Sequence, residues 1–500
     1  LVITARIGSK TYQYNSELEA YFSQFRKHII GVEQTFQSPF GEKKIIYADW
    51  IASGRLYGPI EDKVRNVFGP YMANTHTESN LTGGTMTLAY EEAKRIIKRH
   101  VHANNEDVVL LEGSGMTSVM AKFQRILGLK GPEKWKRYMS LSEEERPIVF
   151  ISHMEHHSNQ TSWIETIADV KIVPRSKDGH LDIEALKELL HTYRNRPLKI
   201  GAFTACSNVT GICLPYHQLA RVMHEHGGIC LVDFAASAPY IEIDMHPEDP
   251  LESLDGIFFS AHKFLGGPGA SGVTVFNKRL YQNKIPDEPG GGTVTWTNPW
   301  GEHHYISDIE KREDGGTPGI LQGIRAALAI RLKEKMGIHE IQAREKELLE
   351  IVLPGLESIP EVQVLEGDVT NRLGVVSFVV EGLHYNLIVK LLNDRFGYQV
   401  RGGCSCAGTY GHYLLQIDQE SSKSIAKKID QGDFSLKPGW VRFSAHPTMT
   451  NEEAYGFVDA IKQILAHKEE WSQDYLYDSS TNDFFYIRDT RRDYNELFTL

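Results

Sequence analysis

The chain is poor in cysteine, lacks any long apolar run and carries no excess of positive charge. Five cysteines in 500 residues are sparse, odd in number and without the paired spacing of a zinc site, so neither a disulfide framework nor a metal centre is expected. No window approaches the roughly 18 uncharged apolar residues of a membrane span. The first residues also lack the apolar core of a signal peptide, so a cytoplasmic protein with no membrane partner is expected. A formal charge of −11 argues against nucleic acid as the main partner. Internal repeats and low-complexity tracts are missing too.

What is present suits a large soluble enzyme. The length exceeds one ordinary core, and 41% apolar with 24% charged residues is normal for a folded chain. Short β-rich runs alternate with helical patterns, which predicts an α/β fold around a mainly parallel sheet. The runs are Val108 to Leu111, Ile148 to Ser152, Lys199 to Thr204, Ile229 to Phe234, Gly256 to Ser260 and Gly272 to Phe276. The spacing of Ala89, Ala93, Ile96 and Ile97 predicts a helix with one buried stripe. Helical patterns over 319–336 and 339–356 then lead to new strands near 362–367 and 375–380, which marks a smaller domain. The reading divides the chain into an N-terminal arm (1–45) packing on the body, a large domain (46–335), a small domain (336–470) and a C-terminal extension (471–500). The arm is rich in aromatics, among them Tyr21, Phe22 and Phe25. The extension has no clear period.

Ligands of open α/β sheets sit beyond the carboxyl ends of the strands, so the residues there matter most. Ser260-Ala261-His262-Lys263 follows one run and precedes a glycine turn; Val232-Asp233 closes another. A buried carboxylate needs a cationic partner. A protonated pyridine nitrogen is one, and a lysine Schiff base with an aspartate on the pyridinium is the pairing expected for pyridoxal 5'-phosphate (PLP). Glu112-Gly113-Ser114-Gly115 opens a helical pattern, where free backbone N–H groups bind phosphate. Cys206, Cys213 and Cys230 lie in apolar stretches and read as buried, inert thiols, whereas Cys404 and Cys406 stand among glycines in Arg401-Gly402-Gly403-Cys404-Ser405-Cys406-Ala407-Gly408.

The order of Met154-Glu155-His156-His157-Ser158-Asn159, Ser207-Asn208-Val209-Thr210-Gly211, Val232-Asp233-Phe234-Ala235, Ser260-Ala261-His262-Lys263, Gly290-Gly291-Gly292, Gly316-Thr317-Pro318 and Arg401 to Ala407 resembles class V aminotransferase-like enzymes, and within them cysteine desulfurases and selenocysteine lyases. The Gly-Cys-x-Cys form of the last piece is also similar to the N-terminal domain of molybdenum-cofactor sulfurases.

The resemblance implies fold type I, with a seven-stranded, mainly parallel sheet and a smaller α+β domain. It implies that Lys263 carries PLP, that Asp233 holds the ring nitrogen, that His156 lies against the ring and that Asn208 meets the phenolic oxygen or the substrate carboxylate. Ser114, Gly115, Ser260 and His262 would hold the phosphate, and Thr317 the phosphate of a neighbouring subunit in a homodimer. Arg442 would clamp the carboxylate of an amino-acid substrate, with Arg401 and His76 near it. Cys406, five residues after Arg401, would be the nucleophile that takes sulfur from L-cysteine as a persulfide and releases alanine, with Cys404 as runner-up and a sulfur-acceptor protein downstream. The resemblance equally implies a selenocysteine lyase at the same site, and the alternative to both is another class V reaction: transamination, epimerisation or a different C–S lysis. Ala236 departs from the family, which commonly has glutamine there, and the two terminal extensions have no counterpart in short desulfurases.

Overall fold

The computed structural model describes residues 3–7, 10–14, 16–75, 77–136, 141–488 and 495–499. Its centre is a seven-stranded sheet built from β1 (Asp107–Glu112), β2 (Ile148–Ile151), β3 (Asp169–Ile172), β4 (Lys199–Thr204), β5 (Ile229–Asp233), β6 (Gly256–Ser260) and β7 (Gly272–Asn277). The spatial order is β1-β7-β6-β5-β4-β2-β3. β7 runs antiparallel to both its neighbours and the other pairs are parallel, so six strands share one direction. Their carboxyl ends therefore meet on one edge.

Continuous apolar composition makes these strands core elements buried on both faces. Ile148 to Ile151 and Lys199 to Thr204 are buried throughout. β3 escaped the sequence reading because, as the edge strand, it is half-buried along its length and reads Asp-Val-Lys-Ile. The expected helix near residue 90 spans Leu81–His100, and its N-cap Asn80 accepts a hydrogen bond from Gly83 N at 2.8 Å. Its buried face runs through Met86, Tyr90, Ala93 and Ile97, while Ala89 and Ile96 are only half-buried. Tyr90 and Met86 thus shift the stripe from its expected position.

The predicted helix pair appears as Ile320–Met336 and Ile338–Glu357. The second packs on a four-stranded antiparallel sheet of β8 (Val362–Val364), β9 (Val375–Val380), β10 (Arg401–Gly403) and β11 (Trp440–Ser444), in the order β8-β9-β11-β10. This sheet has its own core, with Leu348, Val352, Phe378, Phe443 and Phe457. Ile46–Tyr47, at the start of the stretch read as the large domain, pairs with Tyr398–Gln399 beside that core.

The arm forms a helix, Glu17–Arg26, whose Phe22 and Phe25 are buried against Tyr240, Leu265 and Met336. Arg26 binds Glu453 through two hydrogen bonds of 3.0 and 2.5 Å. The tail, aperiodic in sequence, closes as a hairpin of Tyr475–Asp478 and Asp483–Tyr486. Among the described residues no helix is long and apolar enough to cross a membrane.

Candidate active site

The loops after β1, β2, β4, β5 and β6 surround a cavity of about 300 Å³. Ser114, Gly115, His156, Asn208, Asp233, Ser260, His262, Lys263, Arg401, Cys406 and Arg442 all line it. Eight of these eleven residues meet because parallel strands end together, and Arg401, Cys406 and Arg442 reach the cavity from the small sheet.

At one end the helix Met116–Ile126 points its N-terminus into the cavity. Ser260 Oγ accepts from Met116 N at 2.8 Å, and His262 Nδ1–H donates to Ser114 O at 2.8 Å, so the loop is tied to the Lys263 turn. A side chain at Gly115 would press against His262 and Ser260 Oγ at 3.1 Å, which is why the closest approach is glycine. The arrangement is an anion cradle.

At the other end Asp233 closes β5. It is 4% exposed, and Oδ1 accepts from Ala235 N at 2.8 Å. Burial lifts its carboxyl to about 6, against the weaker pull of that hydrogen bond and of Lys263. Burial likewise pushes the Lys263 amine down to about 8, with Asp233 opposing and Arg442 and Arg401 adding to the depression. An ionised Asp233 here calls for a cation beside it.

His156 caps the helix His157–Ile164: its Nδ1 accepts from Ser158 N at 3.1 Å, which leaves the ring proton on Nε2. Burial, then the charge of Lys263, holds it at about 4, so the ring is neutral near pH 7. Beneath it lies Glu155, whose role sequence reading passed over. Its oxygens accept from Ser152 Oγ (2.6 Å), Thr204 N (2.9 Å) and Asn159 Nδ2 (2.7 Å), joining the ends of β2 and β4, and burial raises it to about 7.

The small sheet supplies the roof. Arg401 and Arg442 stand directly opposite in the β10–β11 ladder, an arrangement of like charges that is unfavourable alone. Asp49 lies between them: Arg442 Nη2 donates to its Oδ1 at 2.7 Å and Arg401 Nε to its Oδ2 at 3.1 Å. Asp49 is the second residue the sequence reading missed; the only signal was an acid set in Tyr47-Ala48-Asp49-Trp50. Arg442 also donates from Nη1 to Asn208 O at 3.0 Å.

Asn208 differs from expectation in one respect. Its Nδ2 is spent on Ser405 O at 2.8 Å, so the amide donor serves the cysteine loop, while Oδ1 is buried without a protein partner among the described residues. Ser405 and Cys406 both adopt left-handed backbone, φ 52° and 58°, a costly conformation for residues with a Cβ. The turn leaves Cys406 exposed at the cavity, whereas Cys404 is half-buried and packs towards the core of the large sheet.

Thr317 does not line this cavity. It is exposed along an adjoining cavity of about 540 Å³ that shares Ser114 with the first. His76 lies outside the described residues.

The sequence pattern of the aminotransferase class V family matches residues 46–457. The chain belongs to that family. The family uses PLP, and this class V enzyme has residues that fit it: an anion cradle, a buried acid needing a cation and an amine depressed towards neutrality, all on one cavity. It is distantly homologous to cysteine desulfurases. A probable cysteine desulfurase of Staphylococcus epidermidis is 28% identical over 370 residues, covering 73% of this chain and 84% of that one; one from Staphylococcus aureus is 27% identical over the same span. The fold matches a cysteine desulfurase from Thermococcus onnurineus with a TM-score of 0.70 and 23% identity, over 89% of this chain and 98% of that one. One from Escherichia coli gives 0.68 and 21% over the same shares.

Proposed function

We propose that this enzyme removes sulfur from L-cysteine, holds it on Cys406 as a persulfide and releases alanine. The observation that carries the reading is the placement of Cys406: an exposed thiol on a left-handed turn, facing the same cavity as Lys263 and Arg442. Transamination or epimerisation has no use for a thiol there.

Lys263 would carry PLP, Asp233 would hold its ring nitrogen and the Ser114–Gly115 loop with Ser260 and His262 its phosphate. When bound, PLP supplies an electron sink for negative charge at the substrate α-carbon. Lys263, once its amine is free, takes the α-proton and later returns one; a depressed amine does this near neutral pH. Arg442, with Arg401 beside it, orients the substrate carboxylate. The Cys406 thiolate attacks the substrate sulfur, forming an S–S bond as the C–S bond breaks. The exposed persulfide is then open to an acceptor protein. The enzyme acts as a homodimer in this reading, with Thr317 turned to the partner's phosphate site.

Brief exposure to L-cysteine followed by mass spectrometry tests the assignment. The peptide of Cys406 should gain one sulfur, about 32 Da, and Cys406→Ser should lose both that gain and alanine release. Sulfur on Cys404 alone would reverse the choice of nucleophile. Full turnover with both cysteines replaced would sink desulfuration through an enzyme persulfide.

A further inference from the structure

Two of the cysteines first read as inert face each other. Cys206 and Cys213 form an antiparallel bridge across the turn that carries Asn208. The flanking bonds, Ser207 N to Ile212 O at 2.9 Å and Leu214 N to Ala205 O at 3.0 Å, make them the non-hydrogen-bonded pair of this short ladder. In such pairs the Cα atoms stand about 4.5 Å apart with side chains on one face, within the range a disulfide spans. Both thiols converge on one acceptor: Cys206 Sγ lies 3.0 Å and Cys213 Sγ 3.7 Å from Gly211 O. Cys213 is only half-buried and is the thiol a small oxidant meets first, while Cys206, fully buried, lies in the wall of the Lys263 cavity. The Cys206 hydrogen bond holds the Cys213 thiol below the usual range, whereas burial drives Cys206 well above it.

We propose that Cys206 and Cys213 are a modification site, a dithiol that closes into a disulfide when a peroxide reaches it. Cys213, as thiolate, attacks one peroxide oxygen and becomes a sulfenic acid as the O–O bond breaks and the first water leaves. Cys206 then loses its proton and attacks that sulfur, expelling the second water. The two thiols are oxidised by two electrons and hydrogen peroxide is reduced to two waters. The bond would pin the turn whose Asn208 carbonyl holds Arg442 and whose Asn208 amide holds Ser405. The same turn accepts Ser377 Oγ at Val209 O, 2.6 Å, so its geometry bears on the small sheet as well.

The test uses the full-length PLP-loaded protein, hydrogen peroxide, N-ethylmaleimide and tryptic mass spectrometry, and involves no L-cysteine, so it stands or falls apart from the desulfuration reading. Both thiols fall in one tryptic peptide, 200–221, separate from that of Cys404 and Cys406. After oxidation and capping, that peptide should be about 2 Da lighter than the dithiol and free of label, and dithiothreitol should restore two capped thiols. Amide exchange over 207–211 should slow in the oxidised protein. Two labelled cysteines at a peroxide dose that oxidises Cys406, or Cys206 bonded to Cys404 or Cys406, overturns the site. Unchanged exchange in a protein that has formed the bond overturns the pinning.

Discussion

Asp49 shows how a single residue conditions the site without resembling a catalytic group. Its carboxylate neutralises two guanidinium groups that the β10–β11 ladder forces opposite each other, and Arg442 is 2% exposed. Asp49→Asn removes the counter-charge of a buried cation, which costs about 3 kcal/mol, and thermal unfolding should fall accordingly. If Arg442 binds the substrate carboxylate, KM for L-cysteine should rise more than kcat falls, as for a residue that positions the binding group. Asp233 offers a pH test in the PLP-free protein. Its folded-state carboxyl is raised from 3.8 to about 6, so the folded state keeps a proton that the unfolded chain has already shed. Its contribution to stability is therefore full below 3.8 and lost as pH rises through about 6. Between about pH 4 and about pH 7 the melting temperature of the wild type should fall relative to Asp233→Asn; parallel curves would deny the buried titration.

The C-terminal hairpin shows the same logic at the level of elements. It has no clear period in sequence, yet it is sewn by polar contacts to the helical stretch 385–396 of the small domain. Tyr475 Oη donates to Asp394 Oδ2 at 2.9 Å, Asn482 Nδ2 to Tyr385 Oη at 2.6 Å and Asn386 Nδ2 to Asn482 O. Arg395 is sandwiched between Phe40 of the arm and Trp471, 3.8 and 4.0 Å from their ring centroids. Arm and tail thus share one clasp beside the strand Tyr398–Gln399. Tyr475→Phe would strip a donor from an almost fully buried carboxylate, and a loss of about 1–3 kcal/mol is expected in urea unfolding. Hydrogen exchange should locate the loss around residues 392–399.

At the scale of the molecule, several large apolar side chains are uncovered on this single chain. Trp300 is 83% exposed, Leu81 72% and Leu88 56%. Trp300 sits at the tip of the hairpin formed by Val294–Thr297 and His303–Tyr305 and belongs to neither core. Burial of such a side chain against a second copy would stabilise association, by about 25 cal/mol per Å² covered. Sedimentation should give twice the 56.6 kDa of one chain, and Trp300→Glu should shift the population towards monomer. A wild type that sediments as one chain at micromolar concentration would leave Thr317 without the neighbouring phosphate assigned to it.

The sequence by itself determined which residues gather at the strand ends. The continuous apolar runs read as buried strands of a mainly parallel sheet, Ser114, His156, Asn208 and Lys263 each follow such a run and Asp233 closes one, so their meeting was implied by topology. The motif order carried the family and its cofactor. Tertiary structure alone decided matters that depend on what lies across from a residue. Cys404 and Cys406 differ by two positions, and the left-handed turn at Ser405 and Cys406 separates a thiol at the cavity from one packed towards the core. Asp49 is 352 and 393 residues from the two arginines it joins, a pairing no local pattern can encode. Cys206 and Cys213 became partners because the turn between them folds back as a ladder, and an edge strand such as Asp169–Ile172 is visible only once its neighbour supplies the hydrogen bonds. Local pattern sets burial and period; register and opposition belong to the folded chain.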